Sequence, residues 1–273
     1  MLFFNIKYFL TISCSMSSIS RGIHLFMKKD RTNHCQKWMK PFYKPKTSNQ
    51  IKYMNFLNDH NISLVFGIGS AGTGKTALAC NTAIKSLNTG TIRNIVLTRP
   101  IQNIDELGFL PGTINKKMDP WIRPMLDVFS EYYSANEIER MLADNTIEIC
   151  PLAFMRGRTF KNSFIIADEM QNCSPEQMKM VNTRLGENSK MVITGDLTQI
   201  DNTKTKSGLE DILNKIKNYH TEIEQIKIVN FDNTDVVRSP FVSTLLDIYD
   251  YKKRENTQDC ALIPKHLDKT WEL

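Results

Sequence analysis

Eight consecutive residues fix the centre of this fold. Gly69-Ser70-Ala71-Gly72-Thr73-Gly74-Lys75-Thr76 fits the pattern G-x-x-x-x-G-K-[ST] in full. The segment before it, Ile62-Ser63-Leu64-Val65-Phe66, is short, apolar and β-branched, and reads as a strand. The segment after it, Thr76–Leu87, carries apolar residues at helical spacing. A strand that turns through glycines straight into a helix points successive backbone amides at one spot, and the positive helix end reinforces them. That context makes the octapeptide a phosphate-binding loop. In such a loop Lys75 reaches the β- and γ-phosphates, and the Thr76 hydroxyl ligates Mg²⁺.

Three further segments suit the same chemistry. Phe164-Ile165-Ile166-Ala167-Asp168-Glu169 is an apolar strand ending in two acids. Asp168 there would orient the Mg²⁺ shell and Glu169 would polarise an attacking water. Val192-Ile193-Thr194-Gly195-Asp196-Leu197-Thr198-Gln199 ends a second apolar strand, and the Gln199 amide is placed to sense the γ-phosphate. In Asp235-Val236-Val237-Arg238-Ser239-Pro240, Arg238 is a candidate arginine finger for transition-state charge. The plainer readings are a capped acidic turn, a polar strand-to-loop turn and a surface arginine.

The remaining pattern alternates. Strands are expected at Asn94–Thr98, Thr146–Cys150, Ser163–Asp168, Lys190–Thr194 and Gln225–Phe231. Helices are expected at Gln50–Asn58 (capped by Ser48), Pro120–Tyr133, Ala135–Asp144, Pro175–Leu185 (capped by Ser174 with Gln177 three residues on), Gly208–Ile216 and Ser239–Tyr251. Strands apolar on both faces, interleaved with helices, predict a parallel sheet covered on both sides. The α/β unit is expected over residues 47–254, with 1–46 as an extension and 255–273 as a polar tail. Phe42–Lys46 reads as a tethered strap.

Charge sharpens this division. The 273 residues carry a net +6. Residues 1–50 hold nine Lys/Arg against one acid, Asp30, while the rest hold 26 bases against 28 acids. The basic excess therefore lies outside the α/β unit, and no broad basic face is implied for it. The six cysteines are scattered without a C-x-x-C pair, which points to free thiols, a reducing intracellular compartment and no structural metal. Cys80 and Cys150 fall in apolar contexts that suit burial. No apolar run is long enough to cross a membrane. Residues 1–29 lack acids, as in an organellar presequence, whereas Met16 and Met27 in frame suit an extended start; the default compartment is the cytoplasm.

Together these segments resemble the PhoH-like ATPases. The resemblance is carried by Gly69–Thr76, FIIADEMQNCSPEQMKM (164–180), SKMVITGDLTQID (189–201) and VVRSP (236–240), and also by TRP (98–100), LGFLPG (107–112), DPWIRPMLD (119–127) and PLAFMRGRTF (151–160). It implies a P-loop NTPase fold: a RecA-like three-layer α/β/α sandwich with a mostly parallel sheet, related to superfamily one helicases. It also implies ATP and Mg²⁺ as cofactors. Gly69, Ser70, Ala71, Gly72, Thr73, Gly74, Lys75 and Thr76 would bind the nucleotide, Thr76 and Asp168 the metal. Glu169, Gln199 and Arg238 would be catalytic, and Gln50 would stand where such ATPases recognise adenine. Homo-oligomerisation as a hexameric ring and action on RNA or single-stranded DNA are implied too. Local candidates for nucleic acid are Arg99, Arg156 and Arg158, with Phe160 as a stacking ring. Lys116, Lys117 and Arg123 lie nearby in sequence. The chain departs from the family in Met170 for Ala, in Ser70 for Pro, and in having one RecA-like unit, so a second wall for nucleic acid would come from another subunit, or the unit would not translocate at all. The competing function is an ATP-binding regulatory or assembly protein with slow hydrolysis and no nucleic-acid substrate. A small-molecule kinase is disfavoured, because DE followed by GDxxQ is a water-activating arrangement.

Overall fold

The computed structural model describes residues 41–100, 114–200 and 206–237, with helical positions 241, 244, 245 and 248 beyond them. Six strands form one sheet: β1 (Leu64–Ile68), β2 (Asn94–Thr98), β3 (Ile147–Ile149), β4 (Ser163–Ala167), β5 (Lys190–Gly195) and β6 (Ile226–Asn230). Their order is β3-β2-β4-β5-β1-β6. Every pairing is parallel, so the described sheet is fully rather than mostly parallel. Parallel neighbours need crossovers. Between β1 and β6 these run through α2 (Lys75–Asn88), α3 (Ile114–Ser130), α4 (Ala135–Ala143), α5 (Pro175–Asn182) and α6 (Gly208–Lys217), while α1 (Ser48–Asn58) precedes β1.

The strand side chains divide with period two. Val65, Ile95, Leu97, Phe164, Ile166 and Val192 join Tyr53, Leu78, Ile84, Met125 and Phe129 in one buried layer. Phe66, Val96, Ile165, Ala167, Met191 and Ile193 join Met170, Met178, Val181 and Leu209 in the other. The first layer lies under α1–α4 and the second under α5 and α6, giving the three-layer α/β/α sandwich. β4 and β5 are buried at every position, as their continuous apolar runs require.

Several boundaries differ from the sequence expectation. Thr47, not Ser48, caps α1; its hydroxyl accepts the Gln50 amide at 3.2 Å. α3 begins six residues before Pro120 and passes through Pro120 and Pro124. Both prolines face solvent, where water can satisfy the carbonyls that lose their amide partners. α5 stops at Asn182, and the following chain turns back so that Leu185 bridges Phe160 just ahead of β4 and β5. The expected helix at 239–251 and the terminal segments lie largely outside the described residues. The strap at Phe42–Lys46 has no secondary structure and is tied down: Phe42 stacks on Tyr132 at 5.2 Å, and the Tyr43 amide donates to Asn81 Oδ1 at 3.4 Å. Cys80, Cys150 and Cys173 are buried free thiols, and burial raises Cys150 to about 11 and Cys173 to about 12.

Candidate active site

The carboxyl ends of β1, β5, β4 and β2 deliver, side by side, the glycine loop, Asp196, the Asp168–Glu169 pair and Arg99. Crevices outside these strand ends are where open parallel sheets take ligands. The loop leaves β1 at Gly69, whose φ of 140° suits only glycine and where a Cβ would lie 2.3 Å from the Phe231 carbonyl oxygen. Gly74 ends the loop in the left-handed region and starts α2 with no side-chain cap. By contrast Thr47, Ser134, Ser174 and Ser207 cap α1, α4, α5 and α6 with their hydroxyls. The first amides of α2 are thus left without intrahelical or side-chain acceptors.

Lys75 lies in the loop's concavity. Its Nζ donates to the carbonyls of Gly69 at 2.6 Å and Ser70 at 2.7 Å, and to Thr73 Oγ1 at 3.3 Å. Burial pulls the Lys75 pKa below its ordinary value, while Asp196, Glu169 and Asp168 oppose that shift. The Ser70 hydroxyl is buried without a partner among the described residues. Open amides, an ammonium and glycine-only backbone make a donor set that fits a polyphosphate.

Beside the loop, the Thr76 hydroxyl donates to Asp168 Oδ1 at 2.7 Å, and the Thr194 hydroxyl donates to the same oxygen. Asp168 is 4% exposed. Two hard oxygens at the foot of a phosphate loop fit Mg²⁺, which characteristically takes one or two protein oxygens and completes its shell with phosphate and water. Among the described residues no group of three His, Cys, Asp or Glu could hold a metal without such help.

Glu169 has φ 55° and ψ 38°, an unusual conformation for glutamate that turns it out of the strand direction. Its Oε2 accepts the Gln171 side-chain amide at 2.6 Å, and its Oε1 faces Arg99 Nη2 at 3.9 Å. Gln171 was given no role by the sequence, yet it joins the parts of the site. Its Oε1 accepts the Asp196 amide at 3.1 Å, its Nε2 lies 3.3 Å from the Gln199 carbonyl, and its own carbonyl accepts the Ser207 hydroxyl at 2.8 Å. A Cβ on Gly195 would come within 2.9 Å of Gln171 Oε1. The available sequence signal was a polar residue held between apolar Met170 and Cys173 two positions after Glu169. Asp196 is buried; its Oδ1 takes the Thr198 amide at 2.9 Å and hydroxyl at 2.7 Å, and its Oδ2 has no partner among the described residues. The Gln199 side chain is exposed on the same rim.

Gln50 is fully buried under the loop. Its Nε2 donates to the Thr73 carbonyl at 3.0 Å, and its Oε1 accepts the Lys46 amide at 2.8 Å. Its amide is therefore spent on the loop and the strap. Asp235 ties the same region together by accepting from the Thr47 hydroxyl and from Asn49 Nδ2 at 2.8 Å. Burial works to raise the Asp235 carboxyl, but hydrogen bonds from Thr47, Asn49 and the Asp232 amide outweigh it and hold the carboxyl below its ordinary value. The Val237 amide donates to the Gly72 carbonyl at 3.1 Å. Arg238, next in sequence, lies outside the described residues.

The arginines proposed for nucleic acid have different fates. Arg99 donates to the Trp121 carbonyl at 3.2 Å beside Glu169. Arg156 is exposed. Arg158 is held by both carboxylate oxygens of Glu148 and covers the Phe160 ring at 4.6 Å. Phe160 is 4% exposed, so the expected stacking ring is a core residue. Its apolar neighbours Met155 and Val181 claim it for the core. Arg123 is exposed; the side chains of Lys116 and Lys117 fall outside the described residues.

The family profile described as PhoH-like protein matches residues 43–250. The chain belongs to the PhoH-like family. A PhoH-like protein of Bacillus subtilis is 46% identical over 207 residues, covering 75% of this chain and 63% of that protein. The PhoH-like protein of Mycobacterium tuberculosis is 44% identical over 208 residues, covering 76% of this chain and 57% of that one. Protein PhoH of Escherichia coli is 39% identical over 204 residues, covering 73% and 56%. The chain thus spans about three fifths of the curated relatives it matches. Among solved structures, the Sulfolobus solfataricus SWI2/SNF2 ATPase core in complex with dsDNA overlaps at TM-score 0.41 and 12% identity, covering 81% of this chain and 55% of that one. The Pif1 helicase from Candida albicans overlaps at TM-score 0.37 and 14% identity, covering 82% and 50%. Both overlaps are loose. This PhoH-like domain carries a P-loop at the carboxyl end of its first strand. No helix among its described residues is long and apolar enough to cross a membrane.

Proposed function

We propose that this PhoH-like chain hydrolyses ATP in a Mg²⁺-dependent reaction and couples turnover to single-stranded RNA or DNA, working as a homo-oligomer. The observation that carries the reading is the uncapped start of α2 with Lys75 folded onto the Gly69 and Ser70 carbonyls. An ammonium on neutral carbonyls is readily drawn to a phosphate, which offers it charged oxygens instead.

In the proposed reaction the loop amides and Lys75 bind the triphosphate, and Thr76 and Asp168 hold the metal. A Mg²⁺ held there would supply charge neutralisation to the triphosphate. Thr194 keeps Asp168 aimed at Thr76. Glu169 orients the attacking water and accepts its proton, while Gln171 fixes the carboxylate. Gln199 stands on the rim to sense the γ-phosphate. Arg238 supplies positive charge to the transition state, from its own chain or from a neighbouring subunit. Gln50 serves the nucleotide by shaping the loop at Thr73.

Coupling to nucleic acid is supported by Arg99, which faces Glu169 from the next strand end, and by exposed Arg156 one strand further out. The test is ATP turnover with and without single-stranded RNA at low salt, where phosphate contacts are strongest. Stimulation is the expected result. A rate indifferent to every nucleic acid favours the assembly-protein reading instead, and absence of hydrolysis overturns the ATPase reading.

A further inference from the structure

Past the edge strand β3 the chain makes a single 3₁₀ turn, Leu152–Met155, before returning to the sheet at Phe160. Leu152 and Met155 are buried, packed with Met170, Cys173, Met178 and Val181. Phe154, between them, is 56% exposed. The turn is tied on both sides. The Arg158 amide donates to the Met155 carbonyl at 3.1 Å, Arg184 Nη1 donates to the Arg158 carbonyl at 3.0 Å, and the Phe160 amide donates to the Arg184 carbonyl at 2.9 Å. Gly157, at φ 77°, makes the bend between them.

A large ring on an anchored turn is held out in water at a cost the fold could avoid by turning it inward. Its surroundings indicate what it meets. Arg156 is exposed and makes no hydrogen bond or ion pair with another described residue, unlike Arg158, which Glu148 occupies. Between Leu142 and Leu197 no other large apolar side chain is exposed to this degree. An exposed ring with an exposed guanidinium two residues on in the chain suits a base and its phosphate better than a protein interface, which needs a contiguous patch of about 800 Å² per partner. Arg99 lies on the same rim, at the end of the neighbouring strand β2. The turn also rests on Met170 and Met178, which flank the segment carrying Gln171.

We propose that Phe154 and Arg156 form a base-stacking contact for single-stranded nucleic acid, the ring taking a base face and the guanidinium the adjoining phosphate. Every base offers a π-face, so the contact is tolerant of sequence. Such a contact presupposes the single-strand coupling proposed above, and the test separates the two.

Binding of a fluorescent single-stranded oligouridine to the full chain is measured by anisotropy, alongside the emission of a 2-aminopurine-containing strand. Phe154→Ala and Phe154→Leu should each weaken binding about tenfold or more and abolish the 2-aminopurine quench. Phe154→Tyr should preserve both. Arg156→Ala should weaken binding and reduce the slope of log affinity against log salt by about 0.7. Binding of a fluorescent ATP analogue and the unfolding temperature, unchanged in all four, verify that the variants are folded. If wild type binds the strand and Phe154→Ala binds it equally well, the stacking contact is wrong and the coupling reading stands. If wild type binds no strand, both fall. If Phe154→Ala instead alters self-association while strand binding is unchanged, the ring belongs to a subunit contact and the proposal is overturned.

Discussion

The Gln171 side-chain amide donates to Oε2 of Glu169 at 2.6 Å, while its carbonyl oxygen accepts the main-chain amide of Asp196 at 3.1 Å. One residue thus locks the acid that follows β4 to the loop that follows β5. A hydrogen bond to a charged group contributes about 1.5–3 kcal/mol, which corresponds to about 10- to 100-fold in rate if it acts in the transition state. Gln171→Ala is expected to lower kcat by that order while leaving affinity for a fluorescent ATP analogue unchanged. Equal loss of binding and turnover would assign Gln171 to loop structure alone.

Among the described residues Lys75 Nζ is hydrogen-bonded only within the loop, so nucleotide must displace it from the Gly69 and Ser70 carbonyls. Ligand at 100 times its Kd stabilises a protein by about 2.7 kcal/mol. ATP with Mg²⁺ should raise the unfolding temperature of wild type clearly and that of Lys75→Met hardly at all. Differential scanning fluorimetry checks this directly.

Gly69 cannot accept a side chain for two independent reasons, its φ of 140° and the Phe231 carbonyl 2.3 Å from where a Cβ would stand. Gly69→Ala should therefore unfold at a lower temperature without ligand and should also lose nucleotide affinity. A variant as stable as wild type would contradict the observed packing of the loop on Phe231.

The Asp235 carboxyl, held below its ordinary value, gives the fold a defined acid dependence. Its contribution is fully present above the unfolded value of about 3.9 and is lost as pH falls through the lower folded value. Urea unfolding of wild type and Asp235→Asn should differ most near neutrality and converge as the carboxyl protonates. A gap that widens toward acid would reverse the sign and refute the assignment.

The sequence was most legible where one physical requirement acted alone. β2 was read at its observed limits because an apolar β-branched run between polar residues has one solution. Ser174 and Gln177 form the expected capping box because that pairing is local. Where tertiary contacts decide, the reading fell short. α3 runs through two prolines because their ring faces lie in solvent, which no local pattern reveals. Phe154 and Phe160 are equivalent as sequence, and only the packing of Met155 and Val181 assigns one to water and the other to the core. Lys75, Thr76 and Asp168 were named from motif spacing and stand together. Gln171 needed the register of β4 against β5 to acquire its partners.

The most direct test of the account is ATP turnover by Glu169→Gln, measured with Mg²⁺ and single-stranded RNA present. Losing a positioned general base typically costs about 10²–10⁴-fold. The variant is expected to bind the ATP analogue as wild type does and to lose turnover on that scale. Wild-type turnover in Glu169→Gln would contradict the assignment of Glu169 and, with it, the proposed mechanism of hydrolysis.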